Sequence, residues 1–335
     1  MIVSALSPAA AVGSRVVLGT ALVAVAYVVG LHSWNARVGL LAAVVLALLP
    51  EAIEAYKQTL RIKPDDANAY YNLGISYGEL DLQREAIEAY KEVIRIDPDA
   101  ADAHYNLGIS YSKVGLQRDA VKAYEQAIRI KPDDANIHYN LGLSYSNLGL
   151  HGEAAEACQQ AIRINPNYID AHYLLGISYD ELGFHRKAVD AYRQTIRLDP
   201  EFSEAYYNLG TSYGILDLHQ EAIDVYQEAI RLNPNSADIY YNLGNTYQDL
   251  DLHREAVEAY QQALRIASDH KNAHYNLGIS YGKLDLHKKA VDAFKQAIRL
   301  DADDKDAHYN LGISYAKLGL HQEAVDAFKQ TIRIA

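Results

Sequence analysis

Between residues 101 and 134, apolar positions recur at helical spacing twice. Ala103, Leu107, Tyr111 and Val114 fall on one face of a first helix. Gly115 breaks the pattern, and Ala120, Tyr124, Ala127 and Ile128 line a second helix. Pro132 stops that helix, and Asp133 or Asp134 can cap the next. Helices this short are marginal in water, so each must bury its apolar face against a neighbour. The spacing therefore predicts a helical hairpin. The pattern returns every 34 residues, with units starting at 67, 101, 135, 169, 203, 237, 271 and 305 and no insertion between them. "AHYNLGISY" opens at Ala103, Ala273 and Ala307. Residues 51–66 match the second half of a unit, and the last unit stops at Ala335. A fixed period of this kind is architecture: stacked hairpins that bury a continuous core.

Every unit carries a glycine and an alanine in fixed slots, Gly108 and Ala120 in the unit above. A glycine inside a helix costs roughly 1 kcal/mol against alanine, so its recurrence needs a packing reason. The expectation is that the two small residues face each other and let the helices approach closely.

The His104 or aromatic slot of "AHYNLG", its Leu-Gly, Tyr111, Ala120, Tyr124, Ala127 and Pro132 resemble the tetratricopeptide repeat family. The resemblance covers residues 51–335. It implies an all-α fold, a right-handed superhelical solenoid of antiparallel helix pairs with the first helix of each pair on the concave side. It also implies a role in holding other proteins together. Three features depart from the pattern. Cys158 fills an aromatic slot; Ser268 and Ala302 replace the terminal proline, which predicts looser or more continuously helical junctions; and no polar capping helix follows Ala335.

Composition changes the picture at Pro50. Residues 1–50 hold only Arg15 and Arg37 as formal charges, while the rest of the chain holds all 43 acidic residues. The run Val16–Leu31 is uncharged, and with His32, Ser33 and Trp34 it reaches about 28 Å as a helix, close to the ~30 Å hydrocarbon core. Three readings stand for this apolar N-terminal helical segment: a membrane anchor over 16–34, a secretory signal peptide, or a hydrophobic capping helix. Val38–Leu49 is too short to span alone. The first reading makes the protein membrane-associated, on a side that the flanking arginines do not set. The second makes it exported.

Charge and motif content narrow the chemistry. A net charge of −12 is the wrong sign for a phosphate-backbone binder, so no nucleic-acid partner is expected. Most of the 13 histidines sit in register, His151 and His185 with their counterparts in one slot and His104 and His138 with theirs in another. Slots one hairpin apart are separated by about 10 Å, whereas zinc–nitrogen bonds need about 2 Å. A framework role is therefore expected, with no metal and no cofactor. Cys158 is expected in the core, the Gly-rich matches are repeat glycines, and no catalytic residue is expected. A recurring arginine, such as Arg95 and Arg129, opposes the helix dipole at the end of each second helix.

Two slots on the first helix point to a partner. One holds Asn72, Asn106, Asn140, Asn208, Asn242, Asn276 and Asn310, with Leu174 the exception. Its neighbour holds Tyr71, Tyr105, Tyr139, Tyr173, Tyr207, Tyr241, Tyr275 and Tyr309. An asparagine amide offers donors and an acceptor to the backbone of any extended chain, and tyrosine adds apolar area with a polar tip. This resembles the asparagine ladder of some tetratricopeptide arrays. It does not resemble the carboxylate clamp, whose Lys or Arg slots hold Tyr105 and Ile109 here. The reading is a membrane-tethered, non-enzymatic scaffold that binds an extended segment of a partner protein in the concave groove. The alternative is a self-assembling structural protein whose uncapped arrays stack into a fibre or ring, through Ala324, Phe328 and Ile332 on the last helix.

Overall fold

The computed structural model describes residues 37–334, with side chains from residue 48 onward. The candidate span 16–34 lies outside the described residues. Among the described residues every regular element is a helix. The chain divides into two compact units after Pro166. The first unit contains α1 (Arg37–Ile62), α2 (Ala67–Glu79), α3 (Gln83–Ile96), α4 (Ala101–Lys113), α5 (Gln117–Ile130), α6 (Ala135–Asn147) and α7 (His151–Ile164). The second contains α8 (Ile169–Glu181), α9 (His185–Leu198), α10 (Ser203–Ile215), α11 (His219–Leu232), α12 (Ala237–Asp249), α13 (His253–Ile266), α14 (Lys271–Lys283), α15 (His287–Leu300), α16 (Lys305–Lys317) and α17 (His321–Ile334). The helices pair as hairpins, α2 with α3 through α16 with α17, and each first helix begins on the first residue of a 34-residue unit.

The turn inside each hairpin needs one left-handed residue. Gly115, Gly149, Gly183 and Gly319 take it with φ between 73° and 81°, and Asp81, Asp217, Asp251 and Asp285 take it at 57–58°. Asparagine and aspartate are the side chains that tolerate this region. The Leu116 N–H then reaches back to the Tyr111 carbonyl at 2.9 Å and closes the first helix.

What lies nearest the glycine is the aromatic ring of the second helix. A methyl group on Gly108 would lie 2.5 Å from the Tyr124 ring, and six further units, at Gly74, Gly176, Gly210, Gly244, Gly278 and Gly312, repeat this arrangement with Tyr or Phe. The aromatic of the second helix lies against the glycine, in space that a side chain there would occupy. In the hairpin with Cys158 a methyl placed on Gly142 would lie 3.1 Å from the Cys158 sulfur and 3.2 Å from the Ala154 carbonyl.

At the two junctions without proline the more continuously helical alternative does not hold. α13 and α15 end at Ile266 and Leu300, and the following helices start at Lys271 and Lys305, so the junctions without proline are no more helical than the others. His274 Nε2 lies 3.0 Å from the Ser268 carbonyl, and His308 Nε2 3.0 Å from the Ala302 carbonyl. His104 and His138 make the same contact with the carbonyls of Pro98 and Pro132. The histidine uses the carbonyl of that residue, which any amino acid supplies.

At Pro50 the composition breaks but the helix does not: α1 runs through it. Ile53 and Tyr56 of α1 pack with Ala69 and Leu73 of α2.

Candidate functional site

The tyrosine and asparagine slots are joined to each other across hairpins. In the first unit Asn106 Nδ2 donates to Tyr71 Oη at 3.0 Å, and Asn140 Nδ2 to Tyr105 Oη at 3.2 Å. In the second unit Asn208 donates to Tyr173 at 3.0 Å, Asn242 to Tyr207 at 3.2 Å, Asn276 to Tyr241 at 3.4 Å and Asn310 to Tyr275 at 3.1 Å. Each amide ties one first helix to the first helix before it. Asn72 donates to the Asn68 carbonyl of its own helix instead, and Leu174 is buried.

The tyrosine rings are held from below. Tyr105 lies 6.0 Å from Tyr124 and Tyr207 6.4 Å from Tyr226, centroid to centroid. Burial pushes the Tyr105 hydroxyl above its ordinary pKa, against the pull of the Asn140 hydrogen bond. Tyr139 is half-buried, and Tyr309 is 51% exposed. The amide nitrogens are thus committed to the fold. Among the described residues, the amide oxygens of Asn106, Asn140 and Asn208 accept no hydrogen bond. What the ladder presents outward is an acceptor beside a half-exposed ring.

Two polar clusters in the second unit escaped the sequence reading. Asp180 accepts hydrogen bonds from Ser212 Oγ at 2.8 Å and Tyr192 Oη at 3.0 Å, with His185 Nδ1 also 3.0 Å away. These residue types suggest a nucleophile, but Ser212 is fully buried and its proton goes to the carboxylate. The cluster pins two hairpins together. In the other, Tyr260 Oη lies 2.8 Å from Asn245 Oδ1 and 2.7 Å from Gln248 Oε1, while Asn276 Nδ2 also donates to Asn245 at 2.9 Å. The available signal was departure from the repeat: Asn245 stands where Ile109 and Ile279 stand, and Asp180 and Gln248 where Ser112 and Gly282 do.

The remaining candidates are structural in placement. His219, His253 and His287 face the turn carboxylates of Asp217, Asp251 and Asp285 at 3.5–3.9 Å. Cys158 is fully buried, and desolvation pushes its thiol up to about 12. Ala324 is 4% exposed inside its own hairpin, so it is not on an open stripe; Phe328 packs 5.8 Å from Tyr309, and Ile332 is 77% exposed.

Family models described as TPR repeat match residues 49–81, 83–115, 117–149 and 219–251. Others described as tetratricopeptide repeat match 135–168, 169–202, 191–224, 237–270 and 275–335. A comparison with curated proteins finds no match. Among solved structures, the chain is similar to YrrB, described as a TPR protein with an unusual peptide-binding site. The identity is 24% over 54% of this chain and 94% of that one, with a TM-score of 0.50. It is also similar to a MamA protein, at 31% identity over 51% of this chain and 94% of that one, TM-score 0.49. MamA from Desulfovibrio magneticus RS-1 matches at 24% identity over 51% of this chain and 96% of that one, TM-score 0.49.

Proposed function

Because the chain belongs to the tetratricopeptide repeat family, we propose that it is a non-enzymatic scaffold whose first helices hold an extended segment of a partner protein. The observation that carries this is the ladder itself: one half-exposed tyrosine and one uncommitted amide oxygen, repeated in register. An extended chain presents backbone N–H groups at a rise of about 3.3 Å per residue, and an amide oxygen accepts from any of them whatever the sequence. Binding runs through the partner's backbone and requires no terminal carboxylate.

The test uses Leu174, which shows that a hairpin folds without the amide. Asn106→Leu, Asn140→Leu and Asn242→Leu together should weaken the captured partner by about 1 kcal/mol per site while helicity by circular dichroism is kept. Crosslinks from the partner should fall on first helices. Crosslinks confined to second helices, or affinity unchanged in the triple variant, would sink the proposal.

Membrane tethering is the finer part of the same proposal. No described helix is long and apolar enough to cross a membrane, so tethering rests on the apolar run Val16–Leu31 alone. The chain should resist alkaline carbonate extraction from membranes. Recovery in the soluble fraction with residue 1 intact would remove the anchor.

A further inference from the structure

The first helices α8, α10 and α12 differ from their neighbours in charge. They carry Asp170, Asp180, Glu181, Glu204, Asp238 and Asp249 and no lysine or arginine. The corresponding helices α4, α14 and α16 carry Lys113, Lys283 and Lys317 in their last turns. Asp170, Glu204 and Asp238 stand in first turns, where the helix dipole favours an acid, and they need no other reason. Glu181 and Asp249 end their helices, where the dipole opposes them. Both are exposed, and the ion pairs among the described residues include neither. The fold gains nothing from these two charges. Asp180 precedes Glu181 and is held by the hydrogen bonds of Ser212 and Tyr192.

Asp170, Glu204 and Asp238 thus form a row with one carboxylate on each helix, and a second, broken row at the other end holds Asp180 and Glu181 on α8 and Asp249 on α12. The half-buried rings of Tyr173, Tyr207 and Tyr241 lie between the rows, and Ile215, 55% exposed, ends α10. Two bases of α9 lie on aromatic rings, Arg193 over Tyr213 of α10 and Lys187 over Tyr179 of α8 and over Phe184. Two histidines approach carboxylates of these helices, His185 at 3.0 Å from Asp180 and His270 at 3.9 Å from Asp238.

We propose that this face takes an extended polypeptide segment bearing lysine or arginine side chains. Their apolar stems lie on the tyrosine rings and their charged heads reach the carboxylate rows. Successive first helices stand about 10 Å apart, which equals about three residues of extended chain. A basic side chain at every third residue then meets one carboxylate per hairpin. The inference rests on the scaffold reading above and names its partner by chemistry.

The test uses the full chain and a fluorescent, unstructured Gly-Ser peptide with lysine at every third position, beside versions with glutamate or glutamine. The lysine peptide should bind at least tenfold more tightly than the other two, and more weakly as salt rises. Combining Glu181→Gln, Glu204→Gln, Asp238→Asn and Asp249→Asn should weaken it about tenfold. A control on second helices, Asp190→Asn, Glu221→Gln, Asp224→Asn and Glu258→Gln, should change it less than about twofold. Equal binding of the three peptides, no binding of the lysine peptide, or equal loss in the control overturns the proposal. A photoreactive group on the lysine peptide separates the two failures. Labelling of first helices with charge-independent affinity removes the basic partner and leaves the scaffold, whereas labelling of second helices alone removes both.

Discussion

A methyl group on Gly108 would meet Tyr124 Cε1 at 2.5 Å, while one on Gly142 would meet the Cys158 sulfur at 3.1 Å. The two sites share a slot and differ in what fills it. A ring pinned in a core cannot step aside, so Gly108→Ala and Gly210→Ala should each cost about 1–3 kcal/mol by overpacking. At Gly142 the cost should be smaller, because the closest atoms, the Cys158 sulfur and the Ala154 carbonyl, stand at 3.1 and 3.2 Å and little has to shift. The roughly 1 kcal/mol of helix propensity that alanine returns at all three sites is then less fully offset. Urea denaturation of the three variants checks the order, and a Gly142→Ala variant as unstable as Gly108→Ala would refute the account. Cys158 offers a second measurement. Its thiol is buried and its pKa pushed up to about 12, so a thiol reagent at neutral pH should modify it only as fast as its hairpin opens. Rapid labelling of the folded protein would contradict its placement.

Helix ends show which parts of the fold a sequence exposes and which it hides. Gly115, Pro132 and Asp66 punctuate the chain locally, and each acts within a few residues of itself: Asp66 accepts from the Ala69 N–H at 3.1 Å. Such signals are legible because cause and effect lie in one stretch. The Asn106–Tyr71 bond was not, because its partners lie 35 residues apart. When every unit writes the same residues, the pattern shows that two slots matter but not that one reaches the other in the next unit. The ring at the glycine was hidden for the same reason: register revealed a small slot without revealing the side chain that fills it.

Each kind of contact between and within these helices carries its own test. Tyr207→Phe removes the acceptor of Asn242 and should cost about 1 kcal/mol with helicity unchanged. Asp66 titrates below the ordinary carboxylate range because of the Ala69 N–H, with Lys63 helping. Its folded pKa is depressed, so its contribution is whole above the unfolded value of about 4 and is lost as pH falls through the folded value. Asp66→Ala should cost about 1 kcal/mol at neutral pH and nothing once the pH is well below the folded value. Melts of both proteins across that range should converge on acidification, and a constant gap would show that the carboxylate is not the cap.

At the scale of the whole molecule, repetition makes stability nearly additive. Within the second unit each hairpin packs on its neighbours in sequence, as the cluster around Ile223 and Leu243 does on α9, α10, α12 and α13. In such an array stability is a sum of hairpin terms and interface terms. Deleting residues 243–276 joins Asn242 to Leu277 within one first helix and keeps every slot in register. Asn242 retains Tyr207, and Asn310 meets Tyr241 in place of Tyr275, a residue of the same type in the same slot. What is lost is one hairpin, with the Asn245 cluster that only α12 supplies. The shortened chain should keep its helicity per residue and unfold cooperatively at a lower urea concentration. Deleting residues 243–275 removes one residue fewer, and the join falls mid-helix where no loop can absorb the difference. Every later residue of that helix turns by about 100°, which takes Leu277, Gly278 and Tyr281 off the core face. That chain should lose the folding of the downstream hairpins. Circular dichroism and urea titration compare the two, and equal stability of the pair would show that the 34-residue register is not what holds the array together.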